Sequence, residues 1–159
     1  MSNVYAAKRA LFDRLGRLVA EAQEGSPLWG FAVSYVWPGD TNAGLKQIYG
    51  GRPSFEHPGE DDMEEGDDTA FHEVASVMLS VRATVSPFPD AGQRASDEIV
   101  EETVFEIGRL LRGNKHLCGG QSVARIRSGV GDNLPHNDGA VSLMSLRVDI
   151  ESYVDYGEE

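Results

Sequence analysis

The sequence predicts an α+β fold: a mixed or antiparallel sheet with two helices packed on one face, and a long acidic loop between strands. Three observations predict it. Two segments repeat apolar residues at helical spacing. Five others are short or alternate apolar with polar residues, as half-buried strands do. Their order is helix, two strands, acidic interruption, strand, helix, two strands, which suits one layer of sheet under one layer of helix. The 159 residues, 40% of them hydrophobic and 25% charged, fit a single domain over 1–159 with a mobile loop at about 50–70.

The elements follow in order. Ser2 or Asn3 suits a cap for a first helix, in which Leu11, Leu15, Leu18 and Ala22 form a stripe with Phe12 and Val19 beside it. Arg9, Asp13, Arg17 and Glu21 fall on the opposite face, and Gly25-Ser26-Pro27 ends the helix. Phe31, Val33, Tyr35 and Trp37 alternate with Ala32, Ser34 and Val36, which predicts a strand stopped by Pro38-Gly39-Asp40. Leu45 to Tyr49 is a shorter strand. Val74 to Val85 alternates cleanly and is broken by Pro87-Phe88-Pro89. A second helix is expected from Gly92 or Gln93 to Leu111, with Gly113-Asn114 at its C-cap. Gln121 to Arg127 reads as a strand and Gly129 to Pro135 as a loop. The last strand runs from Leu146 to Val154, with Arg147, Asp149, Glu151 and Tyr153 at its polar alternates.

The charge is concentrated. The net charge is −12, yet nine acids and no Lys or Arg lie between Glu56 and Glu73, and the remainder carries only −3. From Gly50 to Thr69 the chain is rich in Gly, Pro and acids, with too little apolar surface to offset its ordering entropy. An acidic chain of this kind lacks the concentrated basic surface of a nucleic-acid wrapper or an anionic-membrane binder. No run of about 20 apolar residues is present to span a membrane. The charged N-terminal stretch lacks the apolar core of a signal peptide. One cysteine, Cys118, excludes an internal disulfide framework.

Motifs for chemistry are sparse. His57, His72, His116 and His136 show no metal-ligand spacing, and the acidic segment lacks the residue order of a calcium hand. Cys118 with His116 has the residue types of a thiol nucleophile and base, but without a signalled oxyanion site the plainer reading is a packed or surface thiol. Gly129-Val130-Gly131 does not complete a dinucleotide fingerprint, because position 134 is Leu. No metal or cofactor is expected. Trp29 and Trp37 bracket the first strand, and the plainer reading of both is core residues without further function; the alternative for Trp37, beside Pro38-Gly39 at a strand end, is an interface anchor.

The opening helix Ala6 to Ala22, the strand ending Val33-Ser34-Tyr35-Val36-Trp37-Pro38-Gly39, the strand Val74 to Val85 and the helix leading into Gly113-Asn114-Lys115-His116-Leu117 and Gly119-Gly120 come in a characteristic order. Gly129-Val130-Gly131-Asp132 and the closing strand Ser145 to Tyr153 complete it. This arrangement resembles the tail terminator proteins of phages with long non-contractile, siphovirus-type tails, over most of the chain. The acidic segment has no counterpart in the resemblance. What the resemblance implies is a structural virion protein of the tail or neck, assembled in the bacterial host cytoplasm and not an enzyme. Such proteins form a homo-oligomeric ring, typically a hexamer, that ends polymerisation of the tail tube and joins the tail to the head. The implied partners are further copies of the chain, the tail tube protein and the head–tail connector protein, with DNA only passing through the channel and no membrane contact.

Candidate interaction residues are Trp37, the acids Glu60, Asp61, Asp62, Glu64, Glu65, Asp67 and Asp68, and Arg147 and Tyr153 on the last strand. The acids would either line a channel and repel DNA from its wall or dock a basic partner. Rival readings are another neck or head-completion protein, a small metal-dependent enzyme using His57, His72 and nearby acids, and an acidic interaction module that mimics DNA. Gly59 and Gly66 break the rigid carboxylate array that a mimic needs.

Overall fold

The computed structural model describes residues 4–39, 44–56, 70–85, 89–114, 117, 122–136 and 139–155. The elements are α1 (Val4–Glu21), β1 (Ala32–Ser34), β2 (Lys46–Glu56), β3 (Ala70–Val85), α2 (Pro89–Gly113), β4 (Ser122–His136) and β5 (Gly139–Asp155). The fold is the expected α+β arrangement. Five strands form one mixed sheet in the order β1-β2-β3-β5-β4. Only the β1–β2 pair is parallel.

Both helices lie on one face, and the alternation in the strands explains why. In β3, Ala75, Val77, Leu79, Val81 and Ala83 are buried, and the register sets them opposite Ile150, Val148, Leu146, Met144 and Ser142 of β5. Leu11 and Leu15 of α1, and Val100, Ile107 and Leu111 of α2, join them in one core. α1 covers β1 and β2, whereas α2 covers β3, β5 and β4. Arg9, Asp13, Arg17 and Glu21 point to solvent as their helical phase requires. Among the described residues no helix is long and apolar enough to cross a membrane.

The structure corrects several boundaries. β5 begins at Gly139 and not at Leu146, and β3 at Ala70 and not at Val74, because each finds antiparallel partners along the added length. The first strand keeps only Ala32–Ser34, because Tyr35 and Trp37 leave the ladder for aromatic partners on opposite faces. β2 does not stop at Tyr49. It continues through Glu56 because β3 offers an antiparallel partner along that length, so residues 50–56 of the expected acidic loop belong to the sheet. Pro53 is tolerated there since it follows a register shift and lies past the stretch that β1 pairs, where among the described residues no strand lies alongside to take its missing N–H. Gly129 to Pro135, expected as a loop, is the outer half of β4 and pairs with β5 up to His136–Gly139. Edge position permits its glycines and proline, and pairing overrides the loop-like composition. Finally, α2 starts earlier, at Pro89, a residue suited to a first helical turn. The proposed caps Ser2 and Asn3, the Cys118–His116 pair and residues 57–69 lie outside the described residues.

Candidate interaction surface

Among the described residues, no helix covers the sheet face opposite α1 and α2. The same register that buries odd-numbered positions of β3 sends Ser76, Met78, Ser80, Arg82 and Thr84 to this side. Arg147, Asp149 and Glu151 of β5 lie beside them. Tyr49 and Gln47 of β2 join through their pairing with Ser80 and Arg82.

Trp37 reaches this face because the chain turns over the sheet edge after β1. Tyr35 stays on the helix side, edge-on to Phe12 at 5.8 Å, with the Lys8 ammonium 4.1 Å from its ring centre. Burial among these groups lowers the Lys8 pKa below the usual lysine value. Trp37 crosses to the open side and packs on Tyr49, with ring centres 4.8 Å apart, while the Arg82 guanidinium lies 5.6 Å from its ring centre. Each such cation–π contact at a wet site contributes about 0.5–1 kcal/mol. Gln47, almost wholly buried beneath, donates from Nε2 to Ser34 Oγ at 2.9 Å and fixes β1 to β2.

Arg147 stands on the same face. Its Nε donates to Asp149 Oδ1 at 2.9 Å, and Ser76 Oγ donates to the same oxygen at 2.7 Å. Asp149 is buried, and these two donors are what make its burial tolerable. Arg125 of β4 pairs with Glu151 at 3.2 Å. The surface therefore presents paired charges together with partly exposed Met78, Val123, Val130 and Leu134. Large exposed apolar groups among neutralised charges are the composition of a contact surface.

A second feature lies on the helix side, between the first half of α2 and the β4–β5 hairpin. Ser142, Asn133 and Gln93 all donate to Asp97 Oδ1, Asn133 Nδ2 at 2.7 Å and Gln93 Nε2 at 3.2 Å. The Ser142 bond, followed by those from Asn133 and Gln93, holds the Asp97 carboxyl below its ordinary pKa against a smaller opposing effect of burial. Ser96 Oγ lies 2.7 Å from Ser142 Oγ. Committed in this way, the Ser142 hydroxyl ties helix to hairpin. Next to this cluster is a cleft of about 340 Å³ lined by residues that include Asp97, Val100, Glu101, Asp132, Leu143 and Met144. Among the described residues, no three His, Cys, Asp or Glu side chains gather as metal ligands.

Of the residues singled out in the sequence, Trp37 and Arg147 thus share one face. Tyr153 occupies a β5 position paired with His72 near the end of the sheet, with its side chain outside the described residues. The seven acids from Glu60 to Asp68 are also outside them. Arg82 and Tyr49, which hold Trp37, were not singled out, although Arg82 occupies a polar alternate of the clearest strand. Asp132 and Asn133 were hidden by the loop reading of Gly129 to Pro135.

No family model matches the sequence, and no curated protein matches it. Solved structures are similar in fold, one of them along almost the whole of both chains. It is a chain of the virion of native gene transfer agent (GTA) particle, with 17% identity, a TM-score of 0.48, and coverage of 94% of this chain and 92% of that one.

Proposed function

We propose that this chain is a structural component of a phage-type virion that works as a ring, capping the tail tube and receiving the head connector. The observation that carries the reading is the one-sided sheet: among the described residues the helices lie on one face only, the other face bears Trp37, Arg82, Met78 and Arg147, and β1 and β4 are the outermost strands. Such a body acts through its surfaces. The helix-and-strand order that resembles tail terminators supports the particular role. On this reading the partners are further copies of the chain, the tail tube protein and the head–tail connector protein. DNA passes through without being held, no cofactor is needed, and assembly takes place in the host cytoplasm.

The test is tube growth in vitro. Purified tail tube protein polymerises with and without this chain, and tube lengths and ends are measured by electron microscopy. The expected result is tubes bearing an annular cap at one end and no further growth there. Unaltered elongation with bare ends would overturn the proposal. Capture of the head-side connector without any binding to tubes would move the chain to a different position in the neck.

A further inference from the structure

We infer that two copies of this chain join edge to edge through β4, antiparallel about a two-fold axis at the middle of that strand, so that one sheet runs through both. The inference goes beyond the ring reading and does not use it. A contact of this kind is complete at two copies, so it is the form in which the free chain covers its edge and not the step that builds a ring.

The edge comes first. β4 is an outermost strand, and among the described residues no strand lies along its outer side. Residues 127–134 are all exposed, Val130 to 67%. The strand holds no lysine, and its one proline, Pro135, is next to its last residue. A long edge without such guards is a template for another strand.

The order of side chains along β4 selects a second β4 as the partner. Before the register shift between Ile126 and Ser128, Val123 and Arg125 pair with Glu151 and Asp149. After it, Val130, Asp132 and Leu134 pair with Ser145, Leu143 and Val141. These β5 positions all belong to the face away from the helices, so the shift brings odd-numbered residues of the first half and even-numbered residues of the second onto one face. Read against its own reverse, that face matches itself. Val123 meets Leu134 of the second copy and Arg125 meets Asp132 of the second copy, each twice because of the axis. Residues opposite one another in an antiparallel pair share a face, and without the shift Arg125 and Asp132 would not. Among the described residues Asp132 makes no ion pair within the chain, so its carboxylate is available to that arginine. An in-register parallel pairing would instead set Arg125 against Arg125 and Asp132 against Asp132.

The helix above repeats the pattern. A Cβ on Gly108 would lie 3.5 Å from Ile126, and Glu101 lines the cleft beside Gly131 and Asp132, so the stripe of Glu101, Phe105, Gly108 and Arg112 looks toward the β4 edge. Phe105, at 74% exposure, lies level with the middle of β4. The acid precedes it and the base follows it. Two such helices running antiparallel about the axis carry Phe105 toward the centre and turn Glu101 of each copy toward Arg112 of the other.

The experiment traps the register. In a Cys118→Ser background, Val123→Cys/Leu134→Cys places one thiol opposite the other across the axis, whereas within one chain the two positions lie roughly 35 Å apart. Mild oxidation is expected to give a disulfide-linked dimer from this pair and none from Val123→Cys alone. In sedimentation velocity, Asp132→Lys and Arg125→Glu are each expected to dimerise at least about tenfold more weakly than the wild type, since two facing pairs turn repulsive. Their equimolar mixture is expected to return to wild-type dimerisation, because the mixed pair restores attraction at both. Thermal melts check that each variant folds, and the cysteine pair decides alone for any charge variant that does not. A wild type that stays monomeric at high concentration, a cysteine pair that does not cross-link, or charge variants that dimerise as the wild type does would overturn the inference and leave the ring reading in place. Closed oligomers of more than two copies that ignore both sets of changes would overturn it and favour the ring. A chain that dimerises as described and fails to cap tail tubes would remove the ring reading alone.

Discussion

At the scale of single residues, two positions show how closely the parts are fitted. Gly50 lies where β2 passes beneath α1. A Cβ there would sit 2.3 Å from the Tyr35 carbonyl oxygen and 2.9 Å from Phe12 Cζ. The backbone contact cannot be relieved by a rotamer change, so Gly50→Ala is expected to cost about 1–3 kcal/mol, read as a lowered denaturant midpoint. Gly16→Ala, where nothing lies within 4 Å, should be neutral or slightly stabilising in its helix. Asp97 gives a pH signature. Its pKa is lowered in the fold, so the unfolded chain takes up its proton first as the solution becomes acidic. The stability it contributes is complete above the unfolded carboxylate value of about 3.9 and is lost as pH falls through the lower folded value. Asp97→Asn should therefore melt below the wild type at pH 7, with the gap closing toward pH 3. A gap of constant size in melts across that range would contradict the assignment.

At the scale of elements, the helices and the central strand were legible because their burial is periodic and local. Leu11, Leu15 and Phe12 on α1, and Val77, Leu79 and Val81 on β3, have a spacing that leaves one face to bury, and the structure buries it. The misread segments are those whose state depends on a distant partner. Gly129-Val130-Gly131-Asp132-Asn133 has the composition of a loop and becomes strand only because β5 lies alongside. Tyr35 and Trp37 have the alternation of a strand but find better partners in Phe12 and Tyr49. The candidate surface was legible in part for the same reason: Trp37 and Arg147 stand out by type and phase, whereas the cleft needs α2 and β4 brought together. Packing of α2 is the element whose loss should matter most to the β3–β5–β4 half. Ile107, fully buried in its second half, is expected on truncation to Ala to cost about 2–5 kcal/mol, while Glu98→Ala on the exposed side stays within about 0.5 kcal/mol. Urea titrations of both variants check the contrast.

At the scale of the whole molecule, charge and fold are separable. Residues 57–68 hold seven of the 26 acids, and their removal takes the net charge from −12 to −5 without touching a basic residue. β2 and β3 are antiparallel neighbours, paired from Lys46–Ala83 to Glu56–Val74, so a connection between them spans adjacent strand ends. Among the described residues, the core is built from α1, α2, Leu28, Phe31 and the strands. Replacing residues 57–68 with a short glycine–serine turn is therefore expected to leave the melting temperature within a few degrees of the wild type, since the cost of closing a loop changes only slowly with its length. On the proposed reading, the shortened chain should nevertheless cap tubes poorly, because seven carboxylates per copy are withdrawn from whichever partner or channel wall they serve. The two measurements, a melt and a tube-length distribution, separate a folding role from an assembly role. Tubes of wild-type length capped by the shortened chain would assign the acids no part in assembly and leave the sheet face and its edges as the working surface.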